Sequence, residues 1–216
     1  IVAYDPRKKE WGVAVQSKFL ACAAVVSWAR AGAGAVATQS FANIAYGIDG
    51  LDMMERDISA VDTIEALTTA DENRAQRQVG MVDKNGRAGA FTGDGCYDWA
   101  GHIVGEGFTC QGNILVPGTV EAMAATFEAA RRGPGELADW LVEALAAGQA
   151  AGGDSRGRQA AGVMDAVLLD SVEVRVERAL VTGGCGFLGS WIVKKLRERG
   201  TPVRVLAARG ESRDNL

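Results

Sequence analysis

The sequence predicts an α+β fold in which two layers of helix surround stacked antiparallel sheets, followed by a short β-α-β appendage. Three observations predict it. Apolar, alternating runs are joined by polar turns at 6–10 and 83–86, too short for the dozen or so residues that a parallel crossover needs. Two pairs of amphipathic segments, over 47–70 and 120–148, interrupt the strands. Near the end, the apolar run Ala179 to Thr182 breaks into Gly183, Gly186 and Gly189 and resumes as an amphipathic stretch.

In chain order, Ile1 to Asp5 and Trp11 to Ser17 flank Pro6-Arg7-Lys8-Lys9-Glu10 and read as a β-hairpin. Phe19 to Val26 is almost wholly apolar and β-branched at its end. Its short length predicts a buried strand, although periodicity does not separate that from buried helix. Ala33 to Ser40 reads as a further strand. Gly47 to Asp57 and Ser59 to Ala70 read as helices, the second opening on Ser59 with Asp62 three residues later, an approximate capping box. Arg77 to Val82 and Arg87 to Phe91 flank Asp83-Lys84-Asn85-Gly86, whose Asn-Gly pair signals a hairpin. Val104 to Asn113 reads as one strand. Val120, Met123, Ala124, Phe127 and Ala130 recur at helical spacing after Pro117, and a second helix runs from Glu136 to Gly148 beyond Gly133-Pro134-Gly135. Gly148 to Gly157 reads as a glycine-rich loop, with strands at Ala160 to Leu169 and Val172 to Val176. No internal repeat is evident.

With 216 residues, 48% of them apolar and 23% charged, the chain holds one ordinary core and a small appendage. The net charge of −4 is spread without like-sign runs, which speaks against nucleic acid or an anionic membrane as partner. No apolar stretch reaches the roughly 18 residues of a membrane span, and the first residues lack a signal-peptide pattern. The expected compartment is cytoplasmic. Cys22, Cys96, Cys110 and Cys185 are scattered without a CxxC pair, which predicts buried free thiols and neither a zinc site nor a disulfide framework.

Several motifs, in order and spacing, carry a resemblance: Ile1-Val2-Ala3-Tyr4-Asp5, Gly12 to Phe19, Gly34 to Gln39, Arg77 to Gly80, Trp99-Ala100-Gly101-His102, Gln111-Gly112-Asn113 and Gly152 to Gln159. Over residues 1–165 the chain resembles a widespread family, without an assigned activity, placed in the N-terminal-nucleophile (Ntn) hydrolase superfamily. The resemblance implies a four-layer αββα sandwich and hydrolysis of an amide or similar bond, with no cofactor required and a small molecule as ligand. Such chemistry uses a terminal Thr, Ser or Cys whose own α-amino group, with a pKa near 8, takes the proton. The sequence begins at Ile1, whereas the family usually carries a few earlier residues including a small hydroxyl residue. The expectation is that the nucleophile precedes Ile1 and that the chain as written is silent.

Each candidate residue has a functional and a structural reading. His102, the only histidine, is a general base or an anion-facing ligand, or a satisfied structural histidine, in a turn after Trp99. Ser17 and Lys18 end the second strand where superfamily active sites gather polar groups; Lys18 lowers a neighbouring pKa or sits in solvent. Asn113 and the Gly112 N–H form an oxyanion hole or only a turn. Asp154, Arg156 and Arg158 clamp a substrate carboxylate or hold their loop by an internal ion pair. Thr38, Gln39 and Ser40 line the same cleft or merely end a strand.

From Arg178 the pattern changes. Ala179 to Gly189, then Ile192 to Gly200, then Pro202 to Leu206 resemble the opening β-α-β of an NAD(P)-dependent epimerase/dehydratase of the extended short-chain dehydrogenase kind. Gly183, Gly186, Phe187, Leu188 and Gly189 form the phosphate-facing turn, and Arg209 stands where an acidic residue would hold a ribose 2′-hydroxyl, which favours NADP. The Tyr-x-x-x-Lys pair of such enzymes is absent from the remainder. The reading is therefore an Ntn-like domain over 1–177, incomplete at both ends, joined to a truncated Rossmann-like segment over 178–216 as a fusion, a misjoined frame or a fragment. Two alternatives accompany the hydrolase: an NADP-binding module without turnover, and a self-associating structural protein whose exposed sheet edges pair into a homo-oligomer.

Overall fold

In the computed structural model, residues 1–168 and the strand backbones Ala179–Thr182 and Val203–Leu206 are described. The strand expected at Val172 to Val176, the glycine turn with Gly183, Gly186, Phe187, Leu188 and Gly189, Cys185, and Arg209 lie outside the described residues.

The chain opens with the expected hairpin, β1 (Val2–Asp5) and β2 (Glu10–Ser17), in which Val2 faces Val13 and Asp5 faces Glu10. The segment expected as a strand over 19–26 is instead a turn followed by one helical turn, α1 (Ala23–Val26). Ala21 adopts a left-handed φ of 54° there, and Phe19 and Leu20 are exposed at 58% and 66%. The reason is topological: β2 belongs to one sheet and the next strand, β3 (Ser27–Arg30), to the other, so this stretch must change direction between layers and cannot continue a ladder. β3 pairs with β4 (Gly34–Ser40).

Helices α2 (Ala45–Glu55) and α3 (Ala60–Thr69) follow. The Ser59 Oγ accepts from the Asp62 N–H at 3.1 Å, the N-cap that the sequence announced. A 3₁₀ turn at Arg74–Gln76 leads into β5 (Arg77–Asp83) and β6 (Ala88–Thr92), whose connection uses Gly86 at φ +81°. Asp83 is fully buried; its carboxylate accepts from the backbone N–H groups of Ala60, Asn85 and Arg87 and from the Arg87 Nε, while its carbonyl accepts from the Trp11 indole at 3.0 Å.

The single strand expected over 104–113 is a hairpin, β7 (Gly101–Gly105) and β8 (Phe108–Gly112), because Gly105-Glu106-Gly107 turns the chain with Gly107 at φ +73°. His102 accordingly lies in β7, not in a turn. α4 (Thr119–Ala130) and α5 (Leu137–Ala150) then pack together, α5 running two residues past the expected end and opening with a Glu136/Asp139 capping box. β9 (Ala160–Val167) returns along β2 in register from Glu10↔Val167 to Ser17↔Ala160. β10 (Ala179–Thr182) continues that sheet and pairs parallel with β11 (Val203–Leu206).

The result is α+β, with five α-helices among the described residues and two sheets that are antiparallel apart from the β10–β11 pair. The first sheet has the order β11-β10-β9-β2-β1-β8-β7 and the second β3-β4-β5-β6. Three apolar clusters show what each face covers. Ile1, Ala3, Ala14 and Cys110 of the first sheet meet Met123, Phe127, Leu141 and Leu145 of α4 and α5. Val2, Val13 and Val15 on the opposite face meet Ala35, Ala37 and Val82 of the second sheet. Val36, Val79 and Met81 meet Tyr46, Leu51 and Ile64 of α2 and α3. Side chains alternate strictly between these environments along β1, β4 and β5, as a period of two requires. Among the described residues no helix is long and apolar enough to cross a membrane.

Candidate functional site

Strands β2, β4 and β8 end, and β5 begins, at the same edge of the molecule, and a cavity of about 340 Å³ opens there. Its wall brings together five of the expected residues: Ser17, Gln39, Asn113, Asp154 and Arg156. Ser40, expected in the same cleft, joins them, as do Ile1, Gln16, Gln111 and Thr119. Three non-glycine residues with left-handed backbones cluster at this edge: Ala21 in the turn beside the lining residues Phe19 and Cys22, Ser40 at φ +66°, and Ile114 at φ +57°. A β-branched residue in that region is strained, and such strain gathers at ligand sites.

The floor is a carboxamide network between the sheets. Gln78 is fully buried; its Nε2 donates to the carbonyl of Gly112 at 2.8 Å, to that of Gly101 at 3.1 Å and to Thr92 Oγ1 at 2.9 Å. Its Oε1 accepts from Gln39 Nε2 at 2.9 Å and from Asn113 Nδ2 at 3.1 Å. Gln111, 4% exposed, accepts from Thr109 Oγ1 through its Oε1, but its Nε2 has no partner. An unpaired buried amide donor costs about 1–3 kcal/mol, and this one belongs to a residue of the cavity wall. On the helix side Gln16 Nε2 donates to Gln149 Oε1 at 3.0 Å.

The rim is set by Asp154. Its carboxylate accepts from Arg156 Nε and Nη2 at 2.9 and 2.7 Å, from the Arg156 N–H, and from the Lys18 N–H at 3.1 Å. Burial alone would raise its pKa, but these hydrogen bonds outweigh that and hold it below the ordinary carboxylate value. The internal ion-pair reading of this loop is thus realised, and Arg156 faces the cavity already engaged, with its Nη1 unused in these bonds.

Four expected residues lie elsewhere. Thr38 is buried on the other face of β4, where its hydroxyl donates to the Asn43 carbonyl; a shift of one residue reverses the face, so Gln39 reaches the cavity and Thr38 does not. Lys18 contributes its backbone N–H while its side chain is exposed, and Arg158 is exposed outside the lining. His102 lines a separate cavity of about 320 Å³ with Thr92, Asp94, Cys96 and Asp98. Thr92 Oγ1 accepts from Gln78 Nε2 and lies in hydrogen-bond contact with His102 Nδ1 at 2.8 Å. Desolvation lowers the His102 pKa. The oxyanion reading of Gly112 also changes: Gly107, just before β8, and Thr109 are in phase to bond β1, so pleat alternation turns the Gly112 N–H towards β7.

Gln16, Gln78 and Gln111 were not among the expected site residues. Each sits in phase with buried positions of its strand, and a carboxamide in such a phase is the signal that marks them. Cys22, Cys96 and Cys110 are buried free thiols, as expected, and no cluster among the described residues has the makings of a metal site.

A family model described as a family of unknown function, DUF1028, matches residues 1–179. The chain is similar to the crystal structure of protein SPO2555 from Silicibacter pomeroyi, likewise assigned to DUF1028, with 26% identity, a TM-score of 0.70, and coverage of 76% of this chain and 70% of that one. No curated protein matches the chain.

Proposed function

Because the chain belongs to DUF1028, a family of unknown function, we propose from the cavity itself that residues 1–177 form an Ntn-type αββα sandwich acting on a small amide-bearing or carboxylate-bearing ligand. The observation that carries this reading is the position of β1. Its first residues are flanked by β2 and β8, and its leading end, Ile1, opens on the cavity. A hydroxyl or thiol leading that strand would open on the same cavity that Ser17 and Asn113 line. The succession of helix, sheet, sheet and helix contacts also supports the reading.

In this mechanism the α-amino group of the leading residue takes the proton from its side chain as that oxygen or sulfur attacks the ligand carbonyl. The Asn113 Nδ2, held by Gln78, has a second N–H with which to meet the developing oxyanion. Arg156 presents Nη1 to a ligand carboxylate, its orientation set by Asp154. Mass spectrometry of the mature protein provides the test. A Thr, Ser or Cys at the head of β1, together with amine release from a panel of N-acyl amino acids, is the expected result; a blocked terminus overturns catalysis, and calorimetric binding of the same panel without turnover identifies a silent ligand-binding form.

A second reading concerns residues 178–216. The parallel pairing of β10 with β11 supports a β-α-β unit, since parallel neighbours require a crossover. We propose that the glycine turn after β10 takes NADP. Titration with NADPH followed by tryptophan fluorescence is expected to saturate, and a flat titration overturns this reading.

A further inference from the structure

The cavity touches both faces of the first sheet, and this needs an explanation. Met123 and Leu145 belong to the α4/α5 side, whereas Gln39 and Ser40 belong to the second sheet, yet all four line one space. A continuous sheet would separate them. The strand register shows where continuity fails. Ile1 exchanges backbone hydrogen bonds with Ala14, and the pairing of Val2 with Thr109 places Ile1 opposite Cys110. β2 then runs on through Val15, Gln16 and Ser17, each paired with β9 on its outer side. β8 runs on through Gln111 and Gly112, both paired with β7, to Asn113. Between these two segments lies a slot one strand wide and three residues long, and all six residues line the cavity.

We propose that this slot is a strand-insertion site for three residues of extended backbone joined to the nitrogen of Ile1. Hydrogen-bond phase supports it from both sides. Lys9 bonds towards β9 through Leu168, so the odd residues of β2 serve β9 and Gln16 presents its N–H and C=O to the slot. Gly107 bonds towards β1 through Tyr4, so Gln111 presents its pair to the slot from β8.

Side-chain alternation specifies the occupant. Ile1 faces the helices and Val2 the second sheet. The inserted residue next to Ile1 therefore faces the second sheet beside the unpartnered Gln111 Nε2, where a hydroxyl oxygen supplies the missing acceptor. The middle residue faces Met123 and Leu145 and is apolar. The third stands at the mouth between Ser17 and Asn113 and faces Gln39. On the hydrolase reading, which this last point alone rests on, the third residue is the nucleophile.

The experiment compares three chains by amide hydrogen exchange: one beginning at Ile1, one extended by Thr-Leu-Ser, and one extended by Thr-Pro-Ser. The expected result is exchange of the Gln16 and Gln111 amides slowed about tenfold or more by Thr-Leu-Ser. Proline removes the N–H that would reach the Gln16 carbonyl and disfavours an interior strand position, so Thr-Pro-Ser is expected to insert less well and to protect the Gln16 amide less than Thr-Leu-Ser does. Equal exchange in the Ile1 and Thr-Leu-Ser chains overturns the proposal. Protection does not depend on turnover, so protected amides in an inactive Thr-Leu-Ser chain keep the slot and remove the hydrolase reading.

Discussion

Asn113 donates its side-chain amide to the buried Oε1 of Gln78 at 3.1 Å, a bond that crosses from the first sheet to the second. The same Gln78 oxygen takes Gln39, and its nitrogen holds the Gly101 and Gly112 carbonyls. Both strand ends at the cavity floor are thereby oriented by one fully buried carboxamide.

Gln78→Leu has nearly the same volume but leaves those donors and acceptors unpaired. Each buried loss costs about 1–3 kcal/mol, and partial relaxation brings the expected total to about 3–4 kcal/mol. Urea denaturation at constant m-value checks this. A loss below about 1 kcal/mol would mean that water replaces the glutamine.

A methyl group on Gly80 would lie 2.6 Å from the Gln111 Oε1. Gly80→Ala must displace that amide from its Thr109 bond, with an expected cost of about 1–3 kcal/mol. Gln111→Ala in the same background relieves the clash, so a double-mutant cycle is expected to show coupling above about 0.5 kcal/mol.

The two neighbours on β4 separate face from function. Gln39→Leu is expected to weaken ligand binding about tenfold or more while costing little stability beyond its single bond to Gln78. Thr38→Val changes the buried α2-facing side and leaves binding unchanged. Isothermal titration with whichever N-acyl amino acid binds distinguishes them, and equal effects would sink the assignment.

Asp154→Asn removes the charge that Arg156 and two backbone amides address. The Asp154 pKa is depressed on folding, so its contribution is present above the unfolded value near 3.8 and is lost as pH falls through the lower folded value. Asp154→Asn is expected to lower stability by about 1–3 kcal/mol at pH 7. The gap between the two proteins should close in acid, as thermal melts from pH 7 to pH 2 can follow.

Glu10, at the opposite end of β2, shifts the other way. Burial and then the neighbouring Asp165 carboxyl push its pKa up to about 8 from 4.5. The folded state therefore holds a proton that the unfolded chain has released, and stability falls as pH rises from about 4.5 to about 8, by at most about 1.4 kcal/mol per pH unit. Glu10→Gln is expected to flatten that slope in chemical denaturation series; an unchanged slope would assign the dependence to another group.

Legibility followed local physics. The β1–β2 and β5–β6 hairpins and the α3 cap were readable because their turn and capping residues act over a few positions. The α1 turn was not, because Phe19 to Val26 changes layers for reasons set by distant strands. At the site, Ser17, Gln39 and Asn113 converge because they lie at strand ends on a common edge, and the loop between α5 and β9 brings Asp154 and Arg156 to it. His102 and Thr38 show the limit of that argument: nearness in sequence to the edge does not determine which face of a sheet, or which cavity, a side chain serves. Gln78 escaped notice since a glutamine in an inward phase gives no sign of its partners until both sheets are in place.

Asp83 ties the β5–β6 turn, the start of α3 and the Trp11 indole of the first sheet to one residue, at the end of β5 farthest from the cavity. The two sheets are consequently fastened at this end by the Trp11–Asp83 bond and at the cavity end by the Gln78 carboxamide. Any parting of them that admits a ligand must therefore give up the Gln78 bonds to Gly101, Gly112 and Asn113 while the Asp83 end stays closed, so entry is governed by a residue that does not itself line the cavity.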